Sequence, residues 1–151
     1  MAQFIKVVRD IALLVGRLGL GGILVVHGMQ RWSGGVDAQV ARVDALGLPS
    51  PTVFAWGTIA LDVVGGILLV FGLATPIVAA LVVIEQGLII GLGKVGNGPL
   101  LAEGGYEYNV AIGCLALIFL AFGSGRAGVD ALFLRGRDDD GEPAISDYSP
   151  A

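Results

Sequence analysis

"LDVVGGILLVFGLATPIVAALVVIEQGLII", residues 61–90, holds two apolar runs separated by the short break "LATP". A bilayer-spanning helix needs about 20 largely apolar residues to cross a hydrocarbon layer roughly 30 Å thick. The runs on either side of Thr75 and Pro76 each come close to that length once they are extended outward. Proline suits the start of a helix, where its missing N–H leaves no bond unmade. The stretch therefore predicts two antiparallel membrane helices joined by a tight turn, and it places Asp62, Glu85 and Gln86 among residues that otherwise favour lipid.

The rest of the chain agrees. With 151 residues, 55% hydrophobic and 15% charged, and a mean hydropathy of +0.82, it is too apolar for an ordinary soluble domain. Four spans are predicted, at residues 10–29, 54–73, 75–93 and 108–123. The expected architecture is an all-α, four-helix up-down membrane bundle occupying residues 1–136, with an interfacial helix in segment 34–48 on the outer side. There "VDAQVARVDAL" carries Val36, Val40, Val43 and Leu46 at helical spacing before "GLPSP" breaks it.

The net charge of −4 describes the tail, because Asp138, Asp139, Asp140, Glu142 and Asp147 against Arg137 account for all of it. Residues 137–151 are too polar to build a core and are expected to be a disordered acidic end. No basic patch points to nucleic acid. One cysteine, Cys114, excludes an internal disulfide, a dithiol redox pair and a cysteine zinc site; it is expected to fill the core. The amino-terminal "KVVRD" resembles the opening of a signal peptide, but the run that follows is interrupted by Arg17 and ends without a small-residue cleavage pattern, so it is expected to remain as a span. Lys6, Arg9, Arg126, Arg135 and Arg137 flank one side, whereas Arg31, Arg42 and Lys94 are dispersed among acids on the other. The positive-inside rule puts both termini in the cytoplasm of a prokaryotic cell, with the chain in its plasma membrane.

Polar side chains at membrane depth need partners or a wet cavity, since an ionised group at the bilayer centre costs on the order of 3 kcal/mol. Counting about 1.5 Å per residue along each helix, Arg17, Asp62 and Glu85 fall at depths from which an arginine could reach a carboxyl. Arg17, His27, Asp62 and Glu85 are therefore expected to form an intramembrane polar cluster. Helical phase groups Gly16, Gly19, Ile23, His27 and Gln30 on the first helix and Ala55, Thr58, Asp62, Gly65 and Gly66 on the second. It groups Tyr106, Asn109, Gly113, Leu117 and Leu120 on the fourth. On the third helix Gly87 and Gly91 lie well over 100° around from Glu85, as a face available either to a neighbouring helix of the bundle or to another protein. No helix shows a break at mid-span. Two readings of the polar cluster stand side by side, a network that only fixes helix packing and a functional site. Trp32, Phe54, Trp56, Tyr106 and Tyr108 read either as an aromatic belt or as pocket walls.

In order, "RLGLGGILVVHGMQRW", "LGLPSP", "LDVVGGILLVFGLATPIVAA" and "GGYEYNVAIGCLALIFLAFGSGRAGVD" resemble the signature segments of the DoxX-like membrane proteins. The resemblance covers nearly all of residues 11–132, with Arg31 where lysine is common, Asp62 where glutamate is common and Ser124 where proline is frequent. It implies a small four-helix membrane protein tied to redox chemistry. Some relatives are membrane subunits of thiosulfate:quinone oxidoreductases, and others belong to thiol or oxidative-stress systems. His27, Arg31, Asp62 and Glu107 match polar positions of the family. The leading expectation is a redox-associated subunit that binds a quinone or quinol, working with a membrane or peripheral redox partner in a homo- or hetero-oligomer. His27, Gln30, Arg31, Trp56, Asp62, Tyr106, Glu107 and Asn109 are the candidate quinone-site residues. No haem or metal is expected, because a lone histidine lacks a second strong axial ligand. The alternative is a non-catalytic scaffold of a larger membrane complex, docked through Gly87 and Gly91.

Overall fold

A computed structural model describes residues 1–125 and 128–130. The described residues are helical, without strands. Helix α1 spans Ala2–Ser33 and α2 Val36–Ala45. Then follow α3 over Pro51–Phe71, α4 over Thr75–Asn97 and α5 over Glu107–Phe122. Three of them, α1, α3 and α4, are long and apolar enough to cross a membrane; α5 is an apolar helix of 16 residues.

Helices α1 and α3 pack as one pair and α4 and α5 as the other, with Leu20, Leu24, Leu69, Val82, Ala116 and Phe119 in the shared core. Outside it lie Val15, Ile67, Ile77, Leu81, Ile84 and Leu117, all exposed. Apolar side chains on both faces of a helix are what a lipid-surrounded bundle requires.

The α1–α3 contact is close because it is made by glycine. A Cβ on Gly28 would stand 2.6 Å from a Val63 methyl and 2.9 Å from the Val63 backbone nitrogen. One on Gly21 would stand 2.6 Å from the Gly66 carbonyl oxygen. Small residues let helix backbones approach in lipid, where dispersion rather than water exclusion drives packing.

Between α3 and α4 the turn is as tight as the sequence predicts. Gly72 takes a left-handed conformation (φ 71°), and the Leu73 N–H donates to the Leu68 carbonyl at 2.9 Å, ending α3 in a Schellman motif. Ala74, also left-handed at φ 50°, brings no side-chain cap to α4. Asp130 supplies it from far along the chain. Its carboxylate accepts the Ala74 N–H at 2.7 Å and the Thr75 N–H at 2.9 Å, while its own N–H donates to the Gly72 carbonyl at 2.9 Å. The segment after α5 is thereby sewn onto the hairpin.

Several expectations are corrected here. The inward face of α1 carries Leu13, Arg17, Leu20 and Leu24, whereas Ile23 and Gln30 are exposed and Gly19 faces open space. On α5, Ile112, Ala116 and Phe119 join Asn109 inside, and Leu117 and Leu120 point out. Cys114 is exposed rather than in the core. Two long helices are not regular: α3 widens into a π-helical segment at Leu61–Gly65 and α4 at Ile89–Lys94. The grouping of Ala55, Asp62, Gly65 and Gly66 on the buried face of α3 holds. Gly87 and Gly91 are exposed on the side away from buried Glu85, with no helix of the bundle packed over them among the described residues. The acidic tail, residues 137–151, lies outside the described residues, as do Arg126, Arg135 and Arg137.

Candidate functional site: a polar chamber beside an apolar cleft

Arg31 sits in the last turn of α1, four residues beyond the start of the "HG" step, and its side chain turns back into the bundle. One of its nitrogens, Nη1, lies 2.8 Å from Asp62 Oδ2 on α3 and donates to Glu85 Oε1 on α4 at 2.7 Å. Asp62 and Glu85 are buried, with side chains 2% and 6% exposed. Gly28 is what admits this geometry, since its missing side chain leaves the Asp62 Cβ against the α1 backbone. Asp62 itself belongs to the π-helical segment of α3. Such bulges recur at functional sites because the extra residue re-aims side chains and loosens the backbone ladder.

Two carboxyls against one guanidinium nitrogen do not cancel: a single positive charge faces up to two negative ones. Glu85 Oε2 is buried with no hydrogen-bond partner, and Asp62 Oδ2 meets Arg31 only as an ion pair. Buried ionic groups left short of partners are expensive, so the trio is costly to bury and marks a candidate functional centre.

Around it lies a chamber of about 170 Å³. On one wall His27 of α1 stacks on Tyr108 of α5, with ring centres 5.3 Å apart and planes at 18°, and a hydrogen bond of 3.0 Å joins Tyr108 Oη to His27 Nε2. On another, Lys94 donates from Nζ to Asn109 Oδ1 at 2.8 Å, and the Asn109 amide donates to Gln86 Oε1 at 2.7 Å. Lys94 reaches this wall from the π-helical end of α4. Both irregular segments therefore deliver a charged residue to the chamber.

Arg31, Ile89 and Lys94 also face a second, larger space of about 410 Å³ between α2, α3 and α4. Its walls are mostly apolar, with Val43, Leu46, Leu48, Phe54 and Leu88 on them, and Glu85 and Thr58 at its side. The sequence thus builds a polar chamber and an apolar cleft with a shared wall.

Four candidate residues, His27, Arg31, Asp62 and Asn109, meet in the chamber, and Glu85 joins them through Arg31. Arg17 does not. It is buried some 21 Å away along α1, and its Nη1 donates to the Ser124 carbonyl at 2.8 Å, against Gly72 and Gly128. Arg17 lies too far along α1 to reach Glu85, because α1 runs on to Ser33 and carries Arg31 to the acids instead. Gln30 is exposed. Trp56 packs edge-on against Trp32 on the outside, their rings 6.1 Å apart, as an aromatic belt would. Tyr106 precedes α5 and lines neither space, and Glu107 is exposed and accepts the Leu101 N–H at 2.8 Å, ordering its own loop. Tyr108, open to a belt or a pocket-wall reading, lines the chamber, whereas Gln86 and Lys94 are not among the candidate quinone-site residues. Tyr108 follows a tyrosine two positions earlier at a span boundary, where belt residues are ordinary; Lys94 looked like a loop charge.

The DoxX family model matches residues 12–95, more than half of the chain. That match takes in Arg31, Asp62, Glu85 and Lys94 and stops short of Tyr108 and Asn109. A curated relative from Bacillus subtilis (strain 168), named "Putative oxidoreductase CatD", is 36% identical over 72 residues, which are 48% of this chain and 52% of the relative. The chain thus spans about half the length of the relative it matches. No solved structure matches it. With its long apolar helices and this match over α1 to α4, the chain is a multi-pass membrane protein and belongs to the DoxX family.

Proposed function

We propose that the chain is a redox-associated membrane subunit whose polar chamber binds the headgroup of a quinone or quinol. The observation that carries this reading is the Asp62–Arg31–Glu85 trio, set between a hydrogen-bonding chamber and an apolar cleft. When bound, a quinone supplies a carrier of two electrons and two protons. Tyr108, Lys94 and the Asn109 amide stand ready to donate to its oxygens, and His27 fixes Tyr108. Asp62 and Glu85 take up or release the protons, with Arg31 tuning both. A single cysteine provides no dithiol couple, so a redox partner exchanges the electrons. The relative named as an oxidoreductase supports that chemistry.

In this reading α5 is the fourth span. At about 24 Å it is short for a hydrocarbon layer of about 30 Å and is accommodated by local thinning or by its flanking residues. Both termini are cytoplasmic, α2 lies along the outer interface, and the membrane is the plasma membrane of a prokaryote. Because Arg31 and Lys94 are engaged in the site, Arg42 is left as the loop cation of the outer side, which sharpens the charge asymmetry.

The test is to purify the protein in mild detergent, assay co-extracted quinone, and measure binding of a short-chain quinone to wild type, Asp62→Asn, His27→Ala and Tyr108→Phe. Bound quinone in the wild type, weakened roughly tenfold or more in the variants, is expected. Absence of quinone from every preparation, with no binding on addition, overturns the reading.

A second reading rests on Gly87 and Gly91, exposed with open space where a side chain would stand. A non-catalytic docking subunit would present such a face to a partner helix. Asp62 and Glu85 variants would then lower assembly of the complex and leave its turnover per complex unchanged.

A further inference from the structure

Arg42 on α2 and Lys94 on α4 both line the apolar cleft, and among the described residues neither forms an ion pair. Each is held instead by a neutral amide. Lys94 donates to Asn109, which is itself fixed by Gln86. Arg42 reaches Gln39 Oε1 at 3.5 Å, and Gln39, buried on the inner face of α2, donates to Thr58 Oγ1 at 3.3 Å. An amide positions a cation without neutralising it. The acidic residues of α2, Asp37 and Asp44, are exposed and line neither space. Glu85, the cleft's one carboxylate, is already engaged by Arg31.

The cleft therefore combines an apolar trough with two uncompensated positive charges. A neutral apolar occupant would leave both cations without a counter-charge, and a small inorganic anion would leave the trough empty. We propose that this cleft binds an anionic membrane phospholipid, one acyl chain lying along Leu46, Phe54 and Leu88 and the phosphate between Arg42 and Lys94. Basic pockets between membrane helices bind the head groups of anionic lipids, and the apolar wall here adds a place for the acyl chain. The cleft shares the wall of Arg31, Ile89 and Lys94 with the polar chamber, but the lipid would lie on the α2 side of that wall and its retention does not depend on quinone binding. The bound lipid would close the outer side of the wall that carries Arg31.

Native mass spectrometry of the full chain, released from micelles holding phosphatidylglycerol and phosphatidylcholine of identical chains at equal concentration, tests it. The expected result is one retained phosphatidylglycerol, favoured about tenfold or more. That preference should vanish in Arg42→Gln/Lys94→Gln, return in Arg42→Lys/Lys94→Arg, and survive Arg9→Gln at the far end of α1. Thermal unfolding in the same detergent confirms that the variants are folded. Equal retention of the two lipids overturns the proposal, as does a preference that the double variant keeps. Displacement of the lipid by an equimolar fatty acid makes the site one for free carboxylates and also overturns it. So does displacement by a short-chain quinone, which would make the cleft part of the quinone site.

Discussion

Replacing Arg31 with methionine removes the one cation shared by Asp62 and Glu85 while keeping an unbranched side chain of similar reach. Both acids are nearly inaccessible, and the ion pairs at 2.8 and 2.7 Å are the contacts that offset their burial. Removing one partner of a buried pair typically costs 3–5 kcal/mol, because the charge left behind has nothing to oppose it. Here two acids are stranded, but they repel each other, and one proton relieves most of the strain. Arg31→Met is therefore expected to lose about 3–5 kcal/mol. Neutralising the acids as well should return most of that loss, since a buried ionic cluster replaced as a whole is often close to neutral in stability. The assay is reversible unfolding in mixed micelles, run on Arg31→Met, on Asp62→Asn/Glu85→Gln and on the triple variant, so that the cycle yields the coupling energy. Arg17→Met is the control: it should also be destabilising, but the Asp62 and Glu85 changes should add to it independently. A loss under 1 kcal/mol for Arg31→Met, or coupling of the acids to Arg17 instead, would refute the arrangement.

At Gly28 a side chain has no room. Gly28→Val should lower stability by about 1–3 kcal/mol or more and also weaken quinone binding by moving Asp62, as read by micelle unfolding and ligand titration, whereas Gly19→Val should leave both unchanged. Asp130→Ala removes the cap of α4 and is expected to cost about 0.5–2 kcal/mol, with Asp130→Asn recovering part of it, by the same unfolding assay. Gly87→Leu and Gly91→Leu should fold normally, because nothing lies over either glycine; loss of a higher oligomer or of a co-purifying protein on size-exclusion chromatography would identify that face as an interface.

Much of this was legible because the signals were strong. Long apolar runs, a proline just inside a helix start and a break of a few residues dictate an antiparallel hairpin whatever surrounds it. An acid inside an apolar run must turn inward, so the burial of Asp62 and Glu85 followed from lipid alone. The identity of their partner did not. Arg17 and Arg31 lie on the same stripe of α1, and choosing between them requires knowing where the helix ends; α1 continues past Met29, and the long Arg31 side chain reaches back from its last turn. Phase failed where apolar residues surround a helix, since lipid and core accept the same side chains. Leu117 and Ala116 cannot be ranked by hydrophobicity in such a setting. The π-helical segments leave no mark on composition, yet Asp62 and Lys94 both lie within them. Asp130 was invisible as a cap because its partners are 55 and 56 residues away.

That distance orders events during biogenesis. The first turn of α4 emerges from the ribosome long before the aspartate that satisfies its N–H groups, and at 5–20 residues per second the interval is roughly 3–11 s. Through that time the α3–α4 hairpin sits in the membrane with its turn unfinished, and only the arrival of the chain beyond α5 completes it. The segment after α5 thus completes the α3–α4 hairpin, and a chain truncated before residue 130 lacks the clasp of its own turn.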